Sequence, residues 1–176
     1  MNRSGTMRAM LRACVLALVA SATLAAVAPA SASSTLTLRL MSLNTVSQGT
    51  DAPPKNRWSA GDRLNFKDLL LTAEPRQFGK KKGKPVGYDA GVIEYAGGTK
   101  QRMTVTVTFP GVGTLTYQGV LRDLPDGSSA VPITGGTGQF KGARGEVVIG
   151  EGSPKALNTF RIVTPARVIL PGSGIA

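Results

Sequence analysis

Gln101-Arg102-Met103-Thr104-Val105-Thr106-Val107-Thr108-Phe109 is the stretch whose reading decides the fold. Met103, Val105, Val107 and Phe109 project to one side and the three threonines to the other, the period-two pattern of a strand with one dry face. Leu36, Leu38 and Leu40 repeat it near the start of the chain. Working outward, the same alternation between Gly, Pro, Asn and Asp breaks predicts eight strands, near 35–42, 62–70, 86–96, 101–109, 113–122, 129–134, 144–150 and 157–164. No window of helical length carries a 3.6-residue period, so little or no helix is expected. Tyr95-Ala96-Gly97-Gly98-Thr99 and Phe109-Pro110-Gly111-Val112-Gly113 are short, glycine-rich connections of the hairpin kind. Sequential hairpins with one apolar face predict an all-β, eight-stranded antiparallel up-and-down barrel, which leaves no open sheet edge. Two stretches read as loops: 47–60 (SQGTDAPPKNRWSA), around the single Trp58, and the basic 74–85 (EPRQFGKKKGKP).

The first 32 residues have another character. Arg3, Arg8 and Arg12 precede a small and apolar run from Ala13 to Val27, which closes on Ala30-Ser31-Ala32. A basic start, an apolar run too short for a membrane span and a small-x-small exit together predict a cleaved secretory signal over 1–32 and a single barrel domain over 33–176. The expected location is therefore outside a bacterial cell. Cys14 would leave with the signal, so the mature chain would carry no cysteine and rely on packing alone.

Cleavage would remove three of the 21 Lys+Arg and none of the 10 Asp+Glu, leaving a net charge of +8. That charge suits solubility, or contact with an anionic cell envelope through the lysine-rich 76–84 segment. Nucleic acid is not expected, since few aromatics are free to stack on bases. Histidine is absent altogether. This excludes Ser-His-Asp and Cys-His nucleophile systems and any histidine-based metal site, and no cofactor is expected.

Ile133-Thr134-Gly135-Gly136-Thr137-Gly138-Gln139-Phe140-Lys141-Gly142-Ala143-Arg144-Gly145 reads as a strand end, a glycine-dense turn, an aromatic anchor and re-entry into the next strand. It is not a phosphate cradle, because a strand rather than a helix follows it. The GGTG-x-F-x-x-ARG element resembles the signature of the dirigent and allene oxide cyclase superfamily of barrels. The likeness runs on, in order, through Gly61–Phe66, Pro85–Gly91, Val107–Phe109 and Gly113–Gly119. It covers roughly 36–164, and it implies an eight-stranded barrel with a hydrophobic cavity that shapes a greasy substrate without attacking it covalently. It also suggests homo-oligomers, by analogy with plant members. The dirigent first strand usually carries a His-Asp pair, whereas Leu40-Met41-Ser42-Leu43-Asn44 has neither residue.

Polar residues on the apolar register of each strand are the candidate site. Asp68 follows Leu64 and Phe66, Tyr88 and Glu94 share a parity with Val86, Ala90 and Val92, and Tyr117 sits with Leu115 and Leu121. A buried carboxyl with a raised pKa can exchange a proton near neutrality, and a tyrosine hydroxyl can orient a ligand oxygen. Asp68 and Glu94 are thus the expected proton-handling groups. Tyr88, Tyr117 and the motif's Arg144 would orient polar atoms, while Asn44, Phe66, Val105, Val107 and Leu115 line the pocket. Together with these residues, the resemblance implies binding a small hydrophobic or aromatic molecule and directing its cyclisation or stereoselective coupling; if the chain is an enzyme, the resemblance implies an isomerase or cyclase of allene oxide cyclase type. The alternatives are a non-catalytic carrier for an apolar ligand and a protein that binds the cell envelope.

Overall fold

The computed structural model describes residues 33–55, 58–97, 100–150 and 155–172. The signal expected over 1–32, with Cys14, lies outside the described residues. Nine strands follow in chain order: β1 (Ser34–Thr50), β2 (Arg63–Thr72), β3 (Pro85–Tyr95), β4 (Gln101–Phe109), β5 (Gly113–Val120), β6 (Arg122–Asp123), β7 (Ser129–Gly136), β8 (Arg144–Ile149) and β9 (Lys155–Thr164). The hydrogen-bonded order β5-β4-β3-β2-β1-β9-β8-β7 returns to β5, so eight antiparallel strands close a barrel. The two-residue β6 pairs only with β7. The period-two residues fill the inside, with Leu38, Leu40, Val105, Val107, Phe109, Leu115, Val147, Phe160 and Ile162 all buried.

Two expected loops are corrected. The stretch from residue 47 is not loop until 51, because β1 continues to Thr50 and pairs Ser47–Thr50 with Phe66–Arg63. A bulge between Asn44 and Val46 makes this possible by bending the strand and resetting its register. The basic 74–85 loop is more than a solvated turn. Its 3-10 turn at Gln77–Gly79 holds Phe78 at φ 52 and buries the ring.

Strand direction sorts the connections into two ends. At the lower end lie the β2–β3, β4–β5 and β7–β8 connections and the tail after β9. Here Phe78 and Phe109 stack with ring centroids 5.1 Å apart, and Phe140 packs on Phe109 at 5.5 Å. Val112, Ala143 and Leu170 complete the seal. The glycine-dense motif aims Phe140 into this plug. Gly138, at φ +59, lies where a Cβ would come 2.4 Å from the Val112 carbonyl oxygen, so only glycine fits the turn.

At the upper end lie the β1–β2, β3–β4 and β8–β9 connections. The β1–β2 loop is tied down by the buried Asp62, whose carboxylate accepts from the Ala52 and Ser59 backbone N–H groups, each at 2.6 Å. Trp58 stacks on Tyr95 beside it, with centroids 4.4 Å apart. Phe66, Ile93, Leu121 and Ile149 are only partly buried and top the core.

Candidate functional site

One row of paired residues crosses the wall of the barrel below the upper end: Asn44 opposite Asp68, Asp68 opposite Asp89, Asp89 opposite Val107, and Val107 opposite Leu115. Directly opposed residues share a face, with Cβ atoms about 5 Å apart. Ser42 and Asp68 belong to the inward parity of their strands, so the whole row looks inside. Two carboxyl groups thus meet in the interior.

Their surroundings differ. Asp68 is held as a carboxylate acceptor, with the Ser42 hydroxyl donating at 2.6 Å and the Asn44 amide at 2.9 Å. Asp89 is 1 % exposed, and its Oδ1 finds no partner. Burial, with repulsion from Asp68 second, pushes the Asp89 carboxyl up from 3.8 to about 7, partly opposed by the Asp68 backbone amide. Charging one acid in a shared dry site makes the second harder to charge, so the pair retains a proton near neutrality. Tyr117 is fully buried beside them. Burial first, then the negative Asp89 and Asp68, raise its hydroxyl well above 10. Asn158 on β9 is also buried, with an unpartnered Oδ1.

Glycine gives Asp89 its room. Gly87 and Gly91 hold the inward positions on either side of it, and β4 lies too close for anything larger. A Cβ at Gly91 would sit 2.5 Å from the Thr104 carbonyl oxygen and 2.7 Å from a Val105 methyl. Asp89 is therefore the only side chain that β3 sends inward between residues 87 and 91.

Of the residues singled out in the sequence, Asp68, Tyr117, Asn44, Val105, Val107 and Leu115 come together here, and Phe66 stands at the upper rim. Tyr88 and Glu94 do not. The expectation that they face inward is corrected: both point out of the barrel, opposite the outward Thr108 and Arg102 of β4. Tyr88 lies under the Lys67 ammonium, 4.9 Å from its ring centroid, and Glu94 pairs with Arg63 at 2.6 Å. Their apolar companions misled the reading. Val86 is buried beside a register shift between Leu70 and Leu71, while Ala90 is exposed. Arg144 is corrected as well. It is exposed at the lower end, and its guanidinium donates to the Ala143 carbonyl at 2.7 Å. Asp89 is the residue that sequence reading missed. The signal that could have found it was the glycine on each side, which marks a crowded inner wall better than the weakly apolar Ala90 marks a core face.

No metal-binding cluster of three His, Cys, Asp or Glu residues forms among the described residues. The two carboxyls, the phenol and the amide make a proton-exchanging and hydrogen-bonding surface inside an apolar barrel.

Solved structures share this architecture. A pyocyanin demethylase superposes with a TM-score of 0.60 at 22% identity, over 73% of this chain and 100% of that one. The pterocarpan synthase dirigent protein GePTS1 superposes at 0.54 and 18% identity, over 75% of this chain and 83% of its own. A second, PsPTS1, gives 0.54 and 18%, over 75% and 94%. The fold is that of the dirigent-like barrels. No family model and no curated protein matches the sequence. The dirigent-like likeness stated from the GGTG…ARG element thus holds at the level of the barrel, with Phe140 of that element seated in the lower plug.

Proposed function

We propose that the chain is exported with loss of residues 1–32, takes a small hydrophobic or aromatic molecule into the upper part of its barrel, and directs that molecule's cyclisation or coupling. The observation that carries this reading is the Asp89 carboxyl, buried, with a free oxygen, and titrating near neutrality beside a second acid. Protonated, Asp89 donates to a ligand oxygen or nitrogen; ionised, it accepts. A group with its pKa at the working pH does both at useful rates. Asp68, anchored by Ser42 and Asn44, faces Asp89 and adds to the effect of burial in raising its carboxyl. Tyr117 retains its proton through the neutral range, so its hydroxyl is a standing donor. The free oxygens of Asp89 and Asn158 favour a ligand with polar groups of its own, since a buried unpaired acceptor costs about 1–3 kcal/mol until it is met. The apolar wall of Val105, Val107 and Leu115 would hold that ligand in one reactive conformer, which by itself can remove several kcal/mol of barrier. The names of the fold neighbours, a pyocyanin demethylase and two pterocarpan synthases, support a small ring compound as the guest.

Native mass spectrometry of the protein recovered from its own culture medium tests this. A chain beginning after Ala32 with a small apolar molecule bound supports the proposal, and Asp89→Asn should retain that molecule unconverted. A ligand-free barrel that stays inside the cell with residues 1–32 attached would sink it. A ligand held equally by parent and variant, and converted by neither, would mark a carrier.

A further inference from the structure

The outer wall of the barrel holds a second feature, independent of what the interior binds. Outward-facing positions across β9, β1, β2 and β3 are apolar in two adjacent rows. Leu157 opposes Met41, which opposes Leu71; in the next row Leu43 opposes Leu69, which opposes Tyr88. Outward positions of a soluble barrel are ordinarily polar. Met41, Leu43, Leu69 and Leu157 are only half-buried, and Tyr88 is 39 % exposed. Beside Met41 and Leu157 the 73–84 connection folds against β1 and leaves a groove of about 500 Å³, floored by Met41, Ala73, Pro75, Ala156 and Leu157.

Cations frame this apolar surface. Arg39, Lys82 and Lys155 line the groove, and Lys67 stands over Tyr88 at the far side. The one acid in the groove, Glu74, is tied to Arg39 at 2.9 Å. The acids of the interior, Asp68 and Asp89, face away. A half-buried apolar strip bordered by lysines and arginine, with a cleft for a headgroup, matches an interface that is anionic outside and apolar beneath. A second copy of the chain is the poorer partner, because it too would bring these cations to the contact.

We infer that the β9–β1–β2 wall and the groove beside it dock the protein on an anionic phospholipid surface, with Lys82 and Lys155 on the lipid phosphates and Met41, Leu43 and Leu157 against the acyl boundary. The site is centred on the barrel wall. Of the five basic residues in the 76–84 segment, Lys82 is the one that lines the groove.

Co-sedimentation of the full chain with phosphatidylcholine vesicles containing about one third phosphatidylglycerol tests it, against vesicles of phosphatidylcholine alone. Binding to the anionic vesicles should fall with added salt. Lys82→Gln combined with Lys155→Gln should weaken it by about 30-fold, as a cation near such a surface contributes about 1 kcal/mol. Met41→Asp should weaken it further, and all variants keep the N-terminal segment, so these contrasts belong to the wall. If Met41→Asp does not fold, the contrast between the parent and the exposed-charge pair Lys82→Gln with Lys155→Gln decides. Equal binding to both vesicle types, or retention unaffected by the charge variants, would overturn the inference. So would binding to soluble poly(glycerol phosphate) without binding to vesicles, or an oligomer that Met41→Asp splits while vesicles remain unbound.

Discussion

The two ends of this barrel are made from the same alternating strands and come out as opposites. The lower end closes on Phe78, Phe109 and Phe140, with the Phe109 ring packed against both of the others. The upper half carries Asp68, Asp89, Tyr117 and Asn158 on the same inward register and is topped by half-buried Phe66, Ile93, Leu121 and Ile149. One end therefore stabilises the fold, and the other keeps groups that the fold alone would not choose. A buried acid with a free oxygen is a cost to folding, and such groups cluster at functional sites.

The contrast can be broken at either end. Truncating the plug should have the largest effect: Phe140→Ala should cost about 3–5 kcal/mol in denaturant unfolding, in line with large aromatic deletions from cores. A loss under about 1 kcal/mol would mean the lower end is not the structural one.

Asp89→Asn should do the reverse, in a pH-dependent way. Folding raises this carboxyl from 3.8 to about 7. Within that window the folded chain keeps a proton the unfolded chain has lost, so stability falls as pH rises and levels off above about 7. At about 1.4 kcal/mol per unit, the amide variant should be more stable than the parent by roughly 4 kcal/mol near pH 8 and nearly equal to it near pH 4. Thermal melts at both pH values check this, and a variant destabilised near pH 8 would show that Asp89 is a structural acid.

Ser42→Ala removes one of the two side-chain donors to Asp68 and should cost about 1.5–3 kcal/mol in denaturant unfolding. Glu94→Gln should change stability by under about 1 kcal/mol, since its pairing with Arg63 is on the surface, and should leave ligand retention untouched. Loss of retention there would return Glu94 to the site.

The period-two pattern made the barrel legible because Leu, Val and Phe at alternate positions report burial directly. β3 defeated the same rule. Both of its faces carry weakly apolar residues, and the face that turns inward holds Gly87, Asp89 and Gly91, because β4 presses too close for larger side chains. Asp68 was legible because Leu64, Phe66 and Leu70 flank it on one parity. Phe78 was not, since its burial depends on a positive-φ turn inside a run of lysines, where composition speaks only for solvent.

The ring is stitched shut between β5 and β7 by three residue pairs, Leu115 with Gly136, Thr116 with Gly135 and Tyr117 with Ile133, whereas β3 and β4 share eight. The shorter ladder should part first, and Tyr117 belongs to it. Amide protons along this join should swap with deuterium sooner than those of β3 and β4. Each transient parting would lay Leu115 and Tyr117, at the end of the inner row, open to solvent from the side.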